Sequence, residues 1–230
     1  MSAAAGAAGP RLELDHLVVA CRSLAAGRDW CESTFGVGPA PGGRHALMGT
    51  HNLLLSVASP RFPRAYLELI AIDPDAPAPA RHRWFDLDDR ALQEAIVEAP
   101  RLVHWVARTT RMDIAVAAFR GAGFSPGIVV DAERMTPRGL LRWRIALANG
   151  RREAGGAVPL LIEWGDVHPA DSLPPNDVAL EALRISGVPS RFAALFESAE
   201  WTPDAWAPLQ ARLGSPRGPV TLSAPSLPAA

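Results

Sequence analysis

The chain has 230 residues, of which 48% are hydrophobic and 20% are charged, and this composition is typical of a folded globular protein. The 23 basic and 24 acidic side chains nearly cancel, so net charge favours neither nucleic acid nor an anionic membrane as a partner. No apolar run approaches the roughly 20 residues of a membrane span, and the N-terminus lacks the pattern of a signal peptide. We therefore expect a cytoplasmic protein with a small-molecule partner, and leave a homodimer open.

The chain contains an internal repeat that begins with two similar strands. The segments LDHLVVA and LVHWVA each place a histidine inside a buried apolar strand, His16 in the first and His104 in the second. A helical pattern follows each strand, strand-like stretches follow each helix, and the last of these carries a glutamate, Glu68 in YLELIAI and Glu163 in PLLIEW. The repeat predicts an α+β fold of two consecutive strand-helix-three-strand (βαβββ) modules.

The repeat divides the chain into five parts. Residues 1–10 are expected to be a disordered tail, 11–75 the first module, and 76–100 a proline-rich linker with a short helix. Residues 101–170 are the second module, and 171–230 look like an incomplete third module followed by a C-terminal tail. This last part has no histidine on its first strand and no glutamate on its last. The histidines and glutamates are therefore specific to the two modules, and the repeated elements do not need them for packing.

The repeated residues His16, Glu68, His104 and Glu163 form a candidate metal site. Because side chains alternate along a strand, each histidine can point into a cavity between the modules, and Asp15 is expected on the face opposite His16. Two imidazoles and two carboxylates suit a divalent zinc, nickel, iron, cobalt or manganese ion, with positions left open for water or substrate. The alternative is that each histidine is a satisfied core residue and each glutamate faces water.

The order of four short motifs resembles the glyoxalase-like branch of the vicinal oxygen chelate superfamily: LDHLVVA, GTHN, YLELIAIDP and LLIEWGD. The resemblance covers about residues 11–170 and implies two modules that curl into a cup, with metal held by His16, Glu68, His104 and Glu163.

This resemblance implies a metal-dependent enzyme of lyase, isomerase or dioxygenase type that acts on a small oxygen-rich substrate. The metal would chelate two neighbouring oxygens as a Lewis acid, and a glutamate, with Glu163 as the candidate, would leave it to move a proton. Some members of this superfamily are metal-free binding proteins. A metal-free protein that binds or sequesters a small molecule is therefore the alternative.

Four other polar side chains are candidates for function. His51, in GTHN, either reaches the cup rim as an acid or base or only caps a hairpin turn. If the apolar face of LRWRIAL packs on helices, Arg142 and Arg144 look into the cup and could hold an anionic substrate; otherwise they are solvated. Ser125, in GFSPG, would make a serine hydrolase, but a helix precedes it and a strand follows, the reverse of what that motif needs. The glycine-rich segment 36–43 is predicted to be a connection.

Overall fold

The computed structural model describes residues 12–136, 139–148, 150–196, 198–202 and 207–224. The expected N-terminal tail at 1–10 and the last six residues of the expected C-terminal tail lie outside the described residues. In chain order, the helices and strands of the described part are β1 (Glu13–Ala20), α1 (Leu24–Phe35), β2 (Ala40–His45), β3 (Thr50–Ser56), β4 (Tyr66–Ile72), α2 (Arg90–Glu98), β5 (Arg101–Arg108), α3 (Met112–Gly121), β6 (Ile128–Thr136), β7 (Gly139–Leu147), β8 (Leu160–Trp164), β9 (Ala179–Ser186), α4 (Ser190–Ala193), β10 (Glu200–Thr202), β11 (Leu209–Gly214) and β12 (Val220–Ser223).

Eight of these strands form one curled sheet in the order β2-β3-β4-β1-β5-β8-β7-β6. The order is symmetric about the antiparallel pair of β1 and β5 at its centre. Each of these two strands also pairs in parallel with the last strand of its own module, which is β4 in the first module and β8 in the second. The predicted α+β fold of two strand-helix-three-strand modules in a cup-shaped sheet is confirmed.

The residues after the second module form a separate four-stranded sheet. The elements β9, α4, β10, β11 and β12 follow the strand-helix-three-strand order, but they pair in the order β10-β9-β11-β12. Here the strand after the helix pairs in parallel with the first strand, which does not happen in either module. This part therefore resembles the modules in the order of its elements and not in how its strands pair.

Local sequence signals set the ends of the helices. Ser23 caps α1, its side chain accepting a hydrogen bond from the backbone of Ala26, and the helix ends at Gly36 with φ of 77°, a conformation that favours glycine. Asp89 caps the linker helix α2 in the same way. The glycine-rich segment 36–43 is only partly the connection that we expected, since β2 starts at residue 40.

The curled sheet buries apolar side chains on both faces. On the convex face, α1 packs on β3 and β4, α3 packs on β8, and β12 packs on β5. On the concave face, the linker between the modules packs into the cup through Trp84, Phe85, Leu87, Leu92 and Ile96. None of the helices in the described part of the chain has the length and hydropathy that a membrane crossing requires.

A β-bulge in β1 changes which side chains share a face. Leu14 pairs with Ala107 but His16 pairs with Val106, so Asp15 is an extra residue on β1 between them. The simple alternation that we expected fails at this point. Asp15 turns to the same side as His16, and Leu14 packs in the convex cluster.

Candidate functional site

A cavity opens on the concave face of the sheet between the two modules and the linker. The space open to the centres of water molecules is about 50 Å³, which holds a few waters or a small organic molecule. Its walls combine indole rings and aliphatic side chains with a few polar groups. The lining side chains that matter for its chemistry are His16, Asn52, Tyr66, Glu68, Arg134 and Trp164.

Asp15 is the fully buried anchor of this polar group. Its Oδ1 lies 2.6 Å from Nδ1 of His16, while its Oδ2 accepts hydrogen bonds from Nε1 of Trp164 and Nε2 of His168, both at 2.9 Å. The Nδ1 of His168 accepts from the backbone of Ala170, so a ring proton on Nε2 faces Asp15. Three donors therefore converge on one buried carboxylate, and they fix the orientation of the His16 ring.

Charge pairing keeps both Asp15 and His16 ionised despite their burial. Burial alone would raise the pKa of Asp15, but hydrogen bonds from His16 and His168 hold it well below its usual range. Burial alone would lower the pKa of His16, but hydrogen bonds with Asp15 and Glu68 raise it from 6.5 to about 9. The ring of Tyr66 stacks on His16 at 4.7 Å between centroids. The cavity thus contains an imidazolium at neutral pH.

Glu68 lies on the other side of the His16 ring, on β4. Its Oε2 is 3.5 Å from Nε2 of His16, and its Oε1 accepts a 2.6 Å hydrogen bond from Asn52. Burial would raise the pKa of Glu68, but the hydrogen bond and charge of His16 lower it, so the carboxylate is ionised. At 3.5 Å this contact is at the long limit of a hydrogen bond, so Oε2 can also interact with a substrate.

His45 completes the polar wall beside Glu68. Its Nε2 lies 3.8 Å from Oε1 of Glu68 and 3.3 Å from the amide nitrogen of Asn52. Burial lowers the pKa of His45 to about 4, so this ring is neutral at physiological pH. The second ring nitrogen lies 3.0 Å from the Thr50 hydroxyl. Asn52 thus orients the carboxylate through its hydrogen bond, and His45 lies beside both groups.

His104 occupies the position on β5 that corresponds to His16, but it does not line the cavity. Phe85 of the linker covers it, with 5.1 Å between the ring centroids, and its Nδ1 donates to the backbone carbonyl of Trp105 at 2.6 Å. Burial lowers the pKa of His104 to about 4. It is a neutral, hydrogen-bonded core residue, which is the alternative that the sequence left open.

Glu163 lies on the convex face of β8, on the opposite side of the sheet from the cavity. It pairs in register with Arg144, whose Nη1 lies 3.1 Å from its Oε2. Arg144 also binds Asp113 of α3, and Arg142 binds Glu133. The apolar face of β7 lines the cavity instead of packing on the helices. The expectation that Arg142 and Arg144 look into the cup is therefore wrong.

His51 also lies away from the cavity. It alternates with Asn52 on β3, and Asn52 is the residue that faces the concave side. The Nδ1 of His51 is 3.8 Å from Asp73. The predicted acid or base at this strand is thus on the wrong face. Ser125 lies in the loop between α3 and β6, in the helix-to-strand order that argued against a hydrolase.

The donors around the cavity do not fit the four-ligand metal site. His16 and Glu68 are together, but His104 is covered by Phe85 and Glu163 lies across the sheet. Across the described ranges, no group of three or more His, Cys, Asp and Glu side chains is arranged to hold a metal ion. The expected zinc, nickel, iron, cobalt or manganese site is not supported by this geometry.

Several residues of the site were missed from the sequence. Asp15 was assigned to the wrong face because the sequence does not show the bulge, and His45 and His168 lie in turn-like segments that carry no motif. Asn52 is next to His51 on β3, and His51 was chosen as the candidate instead. Arg134 lies on β6, where the sequence singled out no residue. One usable signal existed, because an apolar strand containing both Asp15 and His16 carries two buried charges that must find partners.

Comparison with known proteins supports the fold. The sequence profile of the family described as "Glyoxalase-like domain" matches residues 14–201. No curated protein sequence matches the chain.

Solved structures with a similar fold include a hypothetical protein from Staphylococcus aureus, with 14% identity, a TM-score of 0.53, and coverage of 94% of this chain and 87% of that one. Methylmalonyl-CoA epimerase from Mycobacterium tuberculosis is 19% identical, with a TM-score of 0.39 over 66% of this chain and 86% of that one. A variant of the Streptomyces coelicolor epimerase, in complex with 2-nitronate-propionyl-CoA, is also 19% identical, with a TM-score of 0.42 over 68% and 96%. The first shows a shared fold alone, and the other two are too distant to carry an argument.

Proposed function

Since the chain belongs to the glyoxalase-like domain family, we propose that it is a small-molecule enzyme that moves a proton at a carbon next to a carbonyl group. The observation that supports this is the buried row of Asp15, His16 and Glu68, in which an imidazolium and a carboxylate face the same small cavity. Such a pair supplies both partners that enolisation requires, a base for the carbon-bound proton and a donor for the developing oxyanion.

The step follows from where the atoms lie. Oε2 of Glu68 takes the proton, and the electron pair of the broken C–H bond forms an enolate with its negative charge on the substrate oxygen. Nε2–H of His16 donates a hydrogen bond to this oxygen. A proton delivered to the opposite face of the carbon gives the epimer, one delivered to the neighbouring carbon of an enediolate gives an isomer, and loss of a neighbouring leaving group gives a lyase reaction.

Dioxygenase chemistry has less support, because it needs a redox-active metal and the donors of this cavity do not converge on one position. The isomerase or lyase types remain. The competing proposal is a protein that binds or sequesters its ligand without changing it, in which the same cavity grips the ligand.

Proton exchange in D₂O tests the proposal. The protein is incubated with pyruvate, lactate, glycolate and hydroxyacetone, and proton NMR follows both binding and the replacement of carbon-bound hydrogen by deuterium. A compound that binds is expected to exchange faster with the protein than in buffer, and Glu68→Gln is expected to slow this about 100-fold or more. Binding without exchange would favour the sequestering protein.

A further inference from the structure

Arg134 is the arginine that lines the cavity, beside the His16 imidazolium. It lies on β6 opposite Leu141 of β7, and both side chains line the cavity wall. Its Nε and Nη1 are buried, and no hydrogen-bond partner for either is present among the described residues. The arginines of the convex face differ in this respect, because Arg142 binds Glu133 and Arg144 binds Glu163.

A glycine makes room for this guanidinium. A Cβ atom added at Gly43 of β2 would lie 1.4 Å from Nη1 of Arg134, which is far inside van der Waals contact. The neighbouring Gly42 makes room in the same way for Asn52, since an added Cβ would lie 2.0 Å from its Oδ1. The pair of glycines on β2 thus allows Arg134 and Asn52 to approach the strand closely from the cavity side.

A half-buried guanidinium with two buried, unpaired nitrogens favours an anionic ligand. Burying a charged donor without an acceptor is costly, and arginine stays protonated at all physiological pH values. Neither Asp15 nor Glu68, the two carboxylates that line or support the cavity, lies within hydrogen-bond distance of these two nitrogens. The part of the chain that the structure describes therefore supplies no acceptor for these two nitrogens, and a bound anion would supply one.

The size of the cavity limits what this acceptor is. The space open to the centres of water molecules, about 50 Å³ between indole rings, suits a small group of a few non-hydrogen atoms at Arg134. A carboxylate on a short carbon skeleton fits, since its planar oxygens match the donors of a guanidinium.

We propose that Arg134 binds the carboxylate of a small 2-oxo or 2-hydroxy acid and so presents the rest of the molecule to Glu68 and His16. This inference rests on the proposed function for the identity of the reacting end, but the binding of the carboxylate by Arg134 is a separate claim. Gly43 is a positioning residue in this account, because it acts through Arg134.

Binding is measured in the Glu68→Gln background, where turnover does not interfere. Isothermal titration and ligand-observed NMR compare pyruvate, lactate and glycolate with hydroxyacetone, which replaces the carboxylate of pyruvate by a neutral group, and with inorganic phosphate. Arg134→Gln is expected to weaken pyruvate binding about tenfold or more, because charge-assisted hydrogen bonds are lost. Hydroxyacetone binding is expected to change less than about twofold, since it has no charge to lose.

Two further variants separate position from charge. Gly43→Ala keeps the charge of Arg134 but displaces its guanidinium, and is expected to weaken pyruvate binding in the same direction. Arg142→Gln removes an arginine of the convex face and is expected to leave binding unchanged. Thermal unfolding confirms that each variant is folded.

The inference is overturned if Arg134→Gln leaves pyruvate binding unchanged, or if Arg142→Gln weakens it equally. It is also overturned if none of the three carboxylates binds at about 10 mM, where ligands of millimolar affinity are detected, or if phosphate binds better and depends on Arg134 in the same way. Arginine-dependent binding without hydrogen exchange in the unmutated protein would remove the proposed function and leave this inference standing.

Discussion

Glu68 and Glu163 lie on the last strands of two equivalent modules, yet their side chains are on opposite faces of the same sheet. Val18 of β1 pairs with Glu68, and Val106, the matching residue of β5, pairs with Leu160. Leu160 therefore holds the position that corresponds to Glu68, and Glu163 follows three residues later. Because side chains alternate with a period of two, an odd offset reverses the face. One module thus supplies an acidic group to the cavity, and the other supplies an apolar wall.

The asymmetry predicts that the protein does not hold a divalent ion between its modules. Metal analysis of purified protein, followed by titration with zinc, is expected to show no stoichiometric ion that depends on both modules, because the donors do not converge. A single bound ion that is lost equally in Glu68→Gln and Glu163→Gln would contradict this expectation.

Replacing Asp15 by asparagine is expected to lower the pKa of His16. Burial opposes the charged ring, and the Asp15 carboxylate is the first of the groups that offset this and raise the pKa to about 9. Without the carboxylate, the pKa should fall toward 6.5 or below, as histidine titration by NMR would show. If His16 is the donor to the oxyanion, the alkaline limb of the kcat/KM profile should move to lower pH with it.

His168→Gln is the matched control for this shift. It removes one donor to Asp15 but leaves the carboxylate beside His16, so the pKa of His16 should remain well above that in Asp15→Asn. Equal His16 titration in Asp15→Asn and in the unmutated protein would show that the carboxylate does not hold the proton on the ring.

The shifted pKa values of the buried histidines predict that the free energy of unfolding has a maximum and falls at both lower pH (the acid limb) and higher pH (the alkaline limb). His45 and His104 have pKa values lowered to about 4 by burial, so the stability from their neutral forms is present above pH 6.5 and is lost as the pH falls toward 4. His16 has a pKa raised to about 9, so its contribution is present below pH 6.5 and is lost as the pH rises toward 9. Each group changes the free energy of unfolding by at most about 1.4 kcal/mol per pH unit.

Chemical denaturation at pH values from 4 to 9 measures the free energy of unfolding on both limbs. This range runs from the lowered pKa of His104 to the raised pKa of His16. His104→Leu is expected to flatten the acid limb, and His16→Gln to flatten the alkaline limb. The readout is the slope and not the absolute stability, since His16→Gln also leaves the Asp15 charge without its partner. A curve that is equally flat in all three proteins would contradict these protonation states.

Much of the fold was predictable from the sequence because its signals are local and repeated. The two strands with a central histidine, the helical patterns after them and the turns between the later strands all recur in order, and the glyoxalase-like resemblance is confirmed by the family match. Ser23, Asp89 and Gly36 are of residue types that favour the ends of helices, and each lies at a helix end. Of the residues repeated in the two modules, His16 and Glu68 line the cavity as the repeat and the resemblance implied.

The rest of the site depends on features that a periodic pattern does not contain. The bulge beside Asp15 adds one residue to β1 and changes its face, and the offset of Glu163 in β8 depends on the register of distant strands. The linker was expected to connect the modules, but its Trp84 and Phe85 pack into the cup and cover His104. The backbone of Phe85, with φ of 60°, is in a conformation that non-glycine residues rarely adopt, and its ring packs against Trp84 and His104.

The most direct test of the account compares hydrogen exchange in D₂O for Glu68→Gln and Glu163→Gln under identical conditions. Both variants make the same chemical change on the last strand of a module, and only Glu68 faces the cavity. We expect Glu68→Gln to slow exchange about 100-fold or more, and Glu163→Gln to leave it unchanged within about twofold, since its partly exposed ion pair contributes little. Equal losses in the two variants, or a larger loss in Glu163→Gln, would contradict a working centre built by the first module alone.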